Sequence, residues 1–328
     1  MKIRYIKFSV SILSILLFAA FFFSCKKDVL YPTSTTIVVT DATADINSIL
    51  FVNDTLGYIA GGDKYNSTEL LTTHDNGKTW QRFNLSVNDS KEATSIAYNG
   101  YKATAVGYEG KFYTPATNSN NWQVIQTPNW GVWYQHIAFS NPNKGFIVSG
   151  EAYVVGKIFQ IDSSFNLQLK DSFPYELCDI AFANDQIGYT CGYGAVMKTE
   201  DGGISWDLQN IQGDFFRSMS IVDPQNVWIA GYNGSIIHTK DGGAHWEKQR
   251  NGDNPLLAKY RFRGICFKDL NTGYAVGDKG LIMKTSDGGV HWSLLEKTTD
   301  KDLKCITIQK DGSLWIGGTQ GLVLHIIE

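Results

Sequence analysis

Three cations recur at one position of a repeating sequence unit. Arg217, Arg263 and Lys304 each stand at the start of a short apolar run, and successive runs are about forty residues apart. A planar guanidinium can hold a carboxylate through two parallel hydrogen bonds, and an ammonium group binds it as a point charge. If the runs are neighbouring strands, the three side chains lie on one arc and form a candidate recognition site.

Aromatic residues flank these cations and extend the candidate site. Trp133 and Phe216 lie in connections between units, and Tyr193 and Tyr232 follow glycines in turns. Arginine and aromatic residues are the usual anchors of protein interfaces, so these residues, with Asp278, complete the candidate partner-binding set. The alternative is that Arg217 and Arg263 neutralise acids such as Asp179 or Asp214, while the aromatic residues cover the seams between units.

Carboxyl groups expected on the same face raise an enzymatic alternative. A glycoside hydrolase needs a pair of carboxyl groups, and four are available at Asp63, Glu109, Asp214 and Asp278. No motif singles any of them out, and no Arg lies near the first run, Ser48–Phe51, where a sialidase requires one. We therefore predict no catalytic residue. A glycan-processing enzyme is the runner-up, together with a glycan binder that uses Trp130 and Trp133 as stacking platforms.

A second pattern, Thr-x-Asp-(Gly/Asn)-Gly-x-x-Trp, occurs four times, at Thr73–Trp80, Thr199–Trp206, Thr239–Trp246 and Thr285–Trp292. Its Asp can accept hydrogen bonds from backbone N–H groups of its own turn, and its glycines can take positive φ. The pattern thus predicts hairpin turns with a structural role for Asp75, Asp201, Asp241 and Asp287. The tryptophans Trp80, Trp206, Trp246 and Trp292 are expected to pack between neighbouring units.

The units themselves predict an all-β fold, a seven-bladed β-propeller. First strands are expected near Asn47, Thr94, Gln135, Cys178, Arg217, Arg263 and Lys304. The turn pattern is degraded in the second and third units. The seventh unit stops at its third strand, Leu322–Ile327, and the isolated β-branched run Thr35–Thr40 is available to complete it. The N-terminal strand is therefore expected to close the ring.

The N-terminus resembles the leader of a bacterial lipoprotein. Lys2, Arg4 and Lys7 precede an apolar run from Phe8 to Phe23, and Ser24-Cys25 follows as a loosened lipobox. The resemblance implies cleavage before Cys25 and acylation of this residue. The expected organisation is a signal peptide at 1–24, a lipidated Cys and tether at 25–34, and the propeller at 35–328. An ordinary signal peptide or an uncleaved anchor is the alternative.

Charge and cysteine content narrow the classes of partner. A formal net charge of −3 gives no drive toward nucleic acid, and membrane contact is expected through the lipid anchor only. Cys178, Cys191, Cys266 and Cys305 show no metal-ligand spacing and are expected to be buried free thiols. We predict neither a metal site nor a cofactor.

The Thr-x-Asp turns match the Asp-box, or BNR repeat, of sialidases and other propellers. The longer pattern Gly273–Trp292 is similar to the photosystem II assembly and stability factor family, whose bacterial relatives include lipidated proteins. The resemblance implies a seven-bladed propeller that acts as an assembly chaperone. We therefore expect an exported, non-catalytic lipoprotein, at the periplasmic or surface face of the outer membrane, that binds a protein or peptide and assists assembly of an envelope complex.

Overall fold

Antiparallel sheets, arranged as seven blades, surround one central channel. The computed structural model describes residues 29–86, 90–116, 121–211 and 213–328. Within these ranges every blade contains four strands from the channel outward, and one blade carries a fifth. The predicted all-β, seven-bladed β-propeller is confirmed.

The first four blades each use four consecutive strands. Blade one is Asp45–Phe51, Gly57–Asp63, Ser67–Thr73 and Gln81–Arg82. Blade two is Ala93–Tyr98, Ala103–Gly107, Lys111–Pro115 and Trp122–Gln126. Blade three is Tyr134–Asn141, Lys144–Glu151, Val155–Asp162 and Leu167–Phe173. Blade four is Leu177–Phe182, Gly188–Gly192, Val196–Thr199 and Asp207–Leu208.

The remaining blades include the two strands from the N-terminal end. Blade five is Phe216–Ile221, Val227–Gly231, Ile236–Thr239 and Glu247–Arg250. Blade six is Phe262–Phe267, Gly273–Gly277, Leu281–Thr285 and Ser293–Leu295, with Val29–Leu30 on its outer edge. Blade seven is Leu303–Ile308, Leu314–Gly318 and Val323–Ile327, followed outward by Ser34–Ile37. Single 3₁₀ turns occur at Tyr108–Gly110 and Asp278–Gly280, and no helix in the described ranges has the length and apolarity needed to cross a bilayer.

The strand Ser34–Ile37 closes the ring as predicted. It pairs antiparallel with Val323–Ile327, with Ile37 opposite Leu324. The Val38 N–H then donates to the Val323 carbonyl at 2.9 Å, which extends the pairing by one bond. This strand satisfies backbone groups of blade seven that would otherwise form an open edge.

Val29–Leu30 attaches the chain to a second blade. Leu30 lies opposite Leu295 in a parallel pair, and its carbonyl accepts a hydrogen bond from the Glu296 N–H at 2.8 Å. From the sequence these residues are expected in the tether, because a two-residue strand is too short to show an alternating pattern. Residues 1–28, which include the expected leader and Cys25, lie outside the described residues.

The core is divided among the seams between blades. Seven clusters of buried apolar side chains occur in the described chain, one at each seam. At the seam that closes the ring, Trp80 lies 6.0 Å from both Phe51 and Trp315, measured between ring centroids. Trp206 likewise contacts Phe146 of the preceding blade at 6.3 Å. The box tryptophans therefore join blades, as expected, and each such burial contributes roughly 2–3 kcal/mol.

The Asp-boxes share one hydrogen-bond geometry. In all four the Asp Oδ1 accepts the backbone N–H four residues later at 2.8–3.0 Å, and the Thr hydroxyl accepts the N–H of the glycine four residues after it at 2.7–2.8 Å. Hydrogen bonds from Thr79 lower the pKa of Asp75 to about 2, and those from His245 lower the pKa of Asp241 to about 2. The carboxylates are held by their own turns.

A second recurrent turn joins the first two strands of every blade. An Asn or Asp oxygen there accepts backbone N–H groups two or three residues later, at positions Asn53, Asn99, Asn141, Asn184, Asp223, Asp269 and Asp311. These Asx turns persist in blades two and three, where the Asp-box is lost. They lie at the same end of the blades as the Asp-boxes, opposite the blade-to-blade connections.

Candidate functional site

The mouth of the channel is ringed by residues that sit in β-bulges. The ladder between the first two strands shifts register at the same position in all seven blades. A bulge leaves one residue unpaired and redirects its side chain. The seven bulged residues all line a cavity of about 570 Å³, and they are Asn47, Thr94, Gln135, Cys178, Arg217, Arg263 and Lys304. The three cations are therefore neighbours on one arc of this ring.

Two cations of the arc are neutralised by nearby acids. Arg263 forms an ion pair with Asp278, and its Nη2 lies 3.6 Å from an Asp302 carboxylate oxygen. The Lys304 ammonium lies 2.6 Å from an Asp45 carboxylate oxygen and donates to the Asn47 amide oxygen at 3.1 Å. Arg263 and Lys304 are thus ion-paired, but with Asp278, Asp302 and Asp45 and not with Asp179 or Asp214.

Arg217 differs from the other two cations. No carboxylate oxygen of the described residues lies within ion-pair distance of its guanidinium, which instead contacts the Cys178 Sγ at 3.7 Å and lies 5.0 Å from the Phe215 ring centroid. The Asp179 carboxylate accepts a hydrogen bond from the Met219 N–H at 2.7 Å and lies 3.1 Å from the His136 Nδ1. Arg217 therefore offers a positive charge at the mouth of the channel.

A chain of aromatic side chains runs beside the cations. We call the four residues Tyr153, Tyr193, Phe215 and Tyr232 the aromatic arc. Successive ring centroids lie 5.1, 5.6 and 6.3 Å apart, and Tyr193 is half exposed. The Tyr232 ring also lies 5.0 Å from the Arg261 guanidinium and 5.7 Å from that of Arg263. The arc thus combines exposed aromatic faces with cations, the usual composition of interface anchors.

Two of the sequence-based candidates take different positions from those expected. Phe216 is only 1% exposed, because it is the strand residue that packs into the seam between blades four and five. Since neighbouring strand residues face opposite ways, Phe215 takes the surface position instead. Trp133 contacts Tyr108 with ring centroids 4.8 Å apart, where Tyr65 joins them, and no ring contact links it to the aromatic arc among the described residues.

The carboxyl groups considered for an enzymatic site all have partners nearby. Asp214 accepts backbone N–H groups of Asn233 and Ser235 at 2.8 and 3.0 Å. Glu109 lies 3.7 Å from the Lys91 ammonium, Asp278 pairs with Arg263, and Asp63 accepts the Asn66 amide at 3.1 Å. These contacts hold turns and connections in place, a structural use of the four groups.

Comparison with solved structures identifies similar propellers. A structure described as "YCF48 bound to D1 peptide" has a TM-score of 0.74 at 17% identity and covers 92% of this chain and 99% of its own. YCF48 from Cyanidioschyzon merolae has a TM-score of 0.71 at 14% identity, covering 90% and 99%. A streptogramin B lyase has a TM-score of 0.72 at 10% identity, covering 89% and 97%. These likenesses concern the fold.

The sequence also matches a family model. No curated protein matches the chain. The model described as "Photosynthesis system II assembly factor YCF48" matches residues 160–256 and 254–328, which together make up just over half of the sequence. The resemblance seen in the Gly273–Trp292 pattern is thereby confirmed. The chain belongs to the photosynthesis system II assembly factor YCF48 family.

Proposed function

We propose that this chain is a non-catalytic propeller that binds a protein or peptide partner at the mouth of its channel. The observation that carries the proposal is Arg217, a half-buried cation with no acidic partner at ion-pair distance in the described chain. A ligand carboxylate can supply that partner, and a charge-assisted hydrogen bond of this kind contributes roughly 1.5–3 kcal/mol. The aromatic arc beside it offers apolar contact for the rest of a ligand.

The family supports a peptide as the ligand class. One structurally similar protein of this family is described as bound to a D1 peptide. We infer that the present chain uses a comparable mode on a partner of its own membrane system, as an assembly or stability factor for an envelope complex. The paired carboxylates on the same face favour this role over a glycan-processing one.

The proposal is tested by affinity capture from envelope extracts. We expect Arg217→Gln to lose at least about tenfold of the captured partner, because the charge-assisted bond is lost. Arg217→Lys is expected to restore part of the capture. Lys240→Gln, on the opposite face, is the matched control and should capture as much as the unaltered protein. Equal capture of the partner by all of these variants would count against binding at the channel mouth.

We further propose that Cys25 is acylated and anchors the protein in the outer membrane. The proposal rests on the apolar run Phe8–Phe23 followed by Ser24-Cys25. Mass spectrometry of the mature N-terminal peptide is expected to show diacylglycerol on Cys25. Cys25→Ser should move the protein from the membrane to the soluble fraction. An unmodified Cys25 in the mature protein would refute the anchor.

A further inference from the structure

A groove on the edge of blade six lies next to the point where the chain leaves the described residues. It has a volume of about 620 Å³ and an apolar floor that includes Leu281, Ile282, Leu294 and Leu295. Val29 forms part of its wall, held there by the parallel strand pairing. The groove is therefore fixed relative to the N-terminal segment.

The rim of the groove is cationic. Four exposed basic side chains, Lys259, Arg261, Lys279 and Lys297, line it. Arg261 lies 3.7 Å from an Asp278 carboxylate oxygen and Lys297 pairs with Asp300. Across the described residues, the Lys259 and Lys279 side chains have no acidic partner within ion-pair distance, and Lys259 donates to the Gly252 carbonyl at 2.7 Å. An excess of positive charge therefore surrounds an apolar floor.

The connection that leads into this rim exposes large apolar side chains. Leu256 is 91% exposed and Leu257 is 40% exposed, three and two residues before Lys259. Tyr31, which follows the strand at the groove, is 73% exposed. Apolar side chains beside lysines are the composition of segments that enter the boundary between lipid headgroups and acyl chains.

The position of Cys25 adds a geometric argument. Three residues lie between it and Val29, and a fully extended chain over these four residue steps spans at most about 14 Å. An acyl anchor at Cys25 would thus hold the Val29 edge of blade six close to the bilayer surface. No such limit applies to the opposite side of the ring.

We propose that this groove and its rim are the surface by which the propeller rests on an anionic phospholipid bilayer. The rim cations bind the phosphate-bearing headgroups, and Leu256 contacts acyl chains together with Leu281 and Leu294, the half-buried residues of the groove floor. The orientation rests on the proposed acylation of Cys25, whereas the lipid affinity of the groove does not. Because Arg261 lines the groove and its guanidinium lies 5.0 Å from the ring of Tyr232 in the aromatic arc, the peptide site opens beside the membrane surface. The partner segment is then one that lies close to a bilayer.

Vesicle flotation tests the groove without the anchor. The probe is the chain beginning at Lys26, since the ring and its closing strand are complete within residues 29–328. We expect it to float with phosphatidylglycerol-containing vesicles and not with pure phosphatidylcholine vesicles, and binding should weaken at high salt. Lys259→Glu with Lys279→Glu should weaken partition at least tenfold, since each cation near an anionic surface contributes about 1 kcal/mol. Leu256→Asp should weaken it as well.

The control carries the same charge change on the opposite face. Lys78→Glu with Lys240→Glu alters exposed lysines of two Asp-box turns and should leave flotation unchanged. Equal flotation of the groove variant and the control, or binding without phosphatidylglycerol, would overturn the proposal. Because this chain lacks Cys25 and no peptide is present, a negative result bears on the groove alone and not on acylation or partner binding.

Discussion

The Arg217 guanidinium contacts the thiol of Cys178, with Nη1 3.7 Å from Sγ. These residues occupy the bulges of adjacent blades, so the contact crosses a seam at the channel mouth. Burial raises the pKa of the Cys178 thiol to about 12, and the thiol is therefore neutral near pH 7. The neutral thiol does not form an ion pair with Arg217, and a Glu176 carboxylate oxygen that lies 4.0 Å from the same thiol is beyond ion-pair distance of the guanidinium.

An acidic residue at position 178 should compete with the ligand carboxylate for Arg217 and so weaken partner binding. In Cys178→Asp the new carboxylate can pair with Arg217, and we expect partner capture to fall about as far as in Arg217→Gln. Cys178→Ser keeps a neutral group and should capture normally. The measurement is capture from envelope extracts, with thermal unfolding monitored to verify folding. Normal capture by Cys178→Asp would show that the ligand does not need this cation.

The Asp-box glycines should be sensitive to added side-chain volume. Gly203 has φ +82°, and a Cβ there would lie 2.4 Å from Phe146 of the preceding blade. We expect Gly203→Ala to lower the free energy of unfolding by about 3 kcal/mol, from backbone strain and overpacking together. Gly194 is the matched control, because its φ is +72° but nothing lies within 4 Å of an added Cβ.

The control separates the two causes. Gly194→Ala should cost about 1 kcal/mol, from the left-handed conformation alone. Denaturant unfolding of both variants measures the difference. Equal losses would mean that the contact between the box and the neighbouring blade does not contribute.

Removal of the N-terminal strand should weaken the closed ring. A chain beginning at Asp41 lacks Ser34–Ile37 and leaves Val323–Ile327 as an open edge. We expect the Tm to fall by roughly 5–10 °C, from several lost backbone hydrogen bonds and lost packing. Of the described residues, a chain beginning at Tyr31 lacks Val29 and Leu30 alone, and it should melt within a few degrees of the intact protein. An unchanged Tm for the chain beginning at Asp41 would contradict closure of the ring by Ser34–Ile37.

His238 should make stability depend on mildly acidic pH. Burial, with a smaller effect of the Lys240 charge, lowers the pKa of His238 from 6.5 to about 4. Between these values the unfolded chain binds the proton and the folded one does not. The contribution of His238 to the free energy of unfolding is therefore fully present above pH 6.5. It is lost as the pH drops toward 4, by up to roughly 3 kcal/mol.

A variant without the titrating ring tests this. His238 stacks on Trp228 with ring centroids 3.9 Å apart, and His238→Phe keeps a planar ring there. Its free energy of unfolding should vary less between pH 6.5 and 4 than that of the unaltered protein. The same pH dependence in both proteins would assign the effect to other groups.

Much of the architecture follows from the sequence alone. The repeating unit of about forty residues predicts the number of blades, even in the units that lack an Asp-box, and the isolated Thr35–Thr40 run predicts the closing strand. Both depend on local patterns repeated in register. The Val29–Leu30 strand is not predictable in this way, because two residues carry no periodicity and their partner lies far along the chain.

The candidate site is less completely predictable. The sequence identifies the three cations as equivalent, yet it does not show that each lies in a bulge, since a bulge depends on pairing with the next strand. The sequence also does not show which of Phe215 and Phe216 faces the surface. Neighbouring residues of a strand point to opposite sides, so a shift of one residue exchanges the surface position and the buried position at the seam. Which cation lacks an acidic partner depends on the acids that the fold brings near, such as Asp302 for Arg263.

Site-specific photo-crosslinking in cells tests the central proposal, partner binding at the channel mouth, most directly. The crosslinker p-benzoylphenylalanine would replace Tyr193 in the aromatic arc or Lys240 on the opposite face. We predict a discrete crosslinked partner from position 193 that disappears when Arg217→Gln is added, and none from position 240. A position-193 product that persists with Arg217→Gln, or the same product from position 240, would contradict the account.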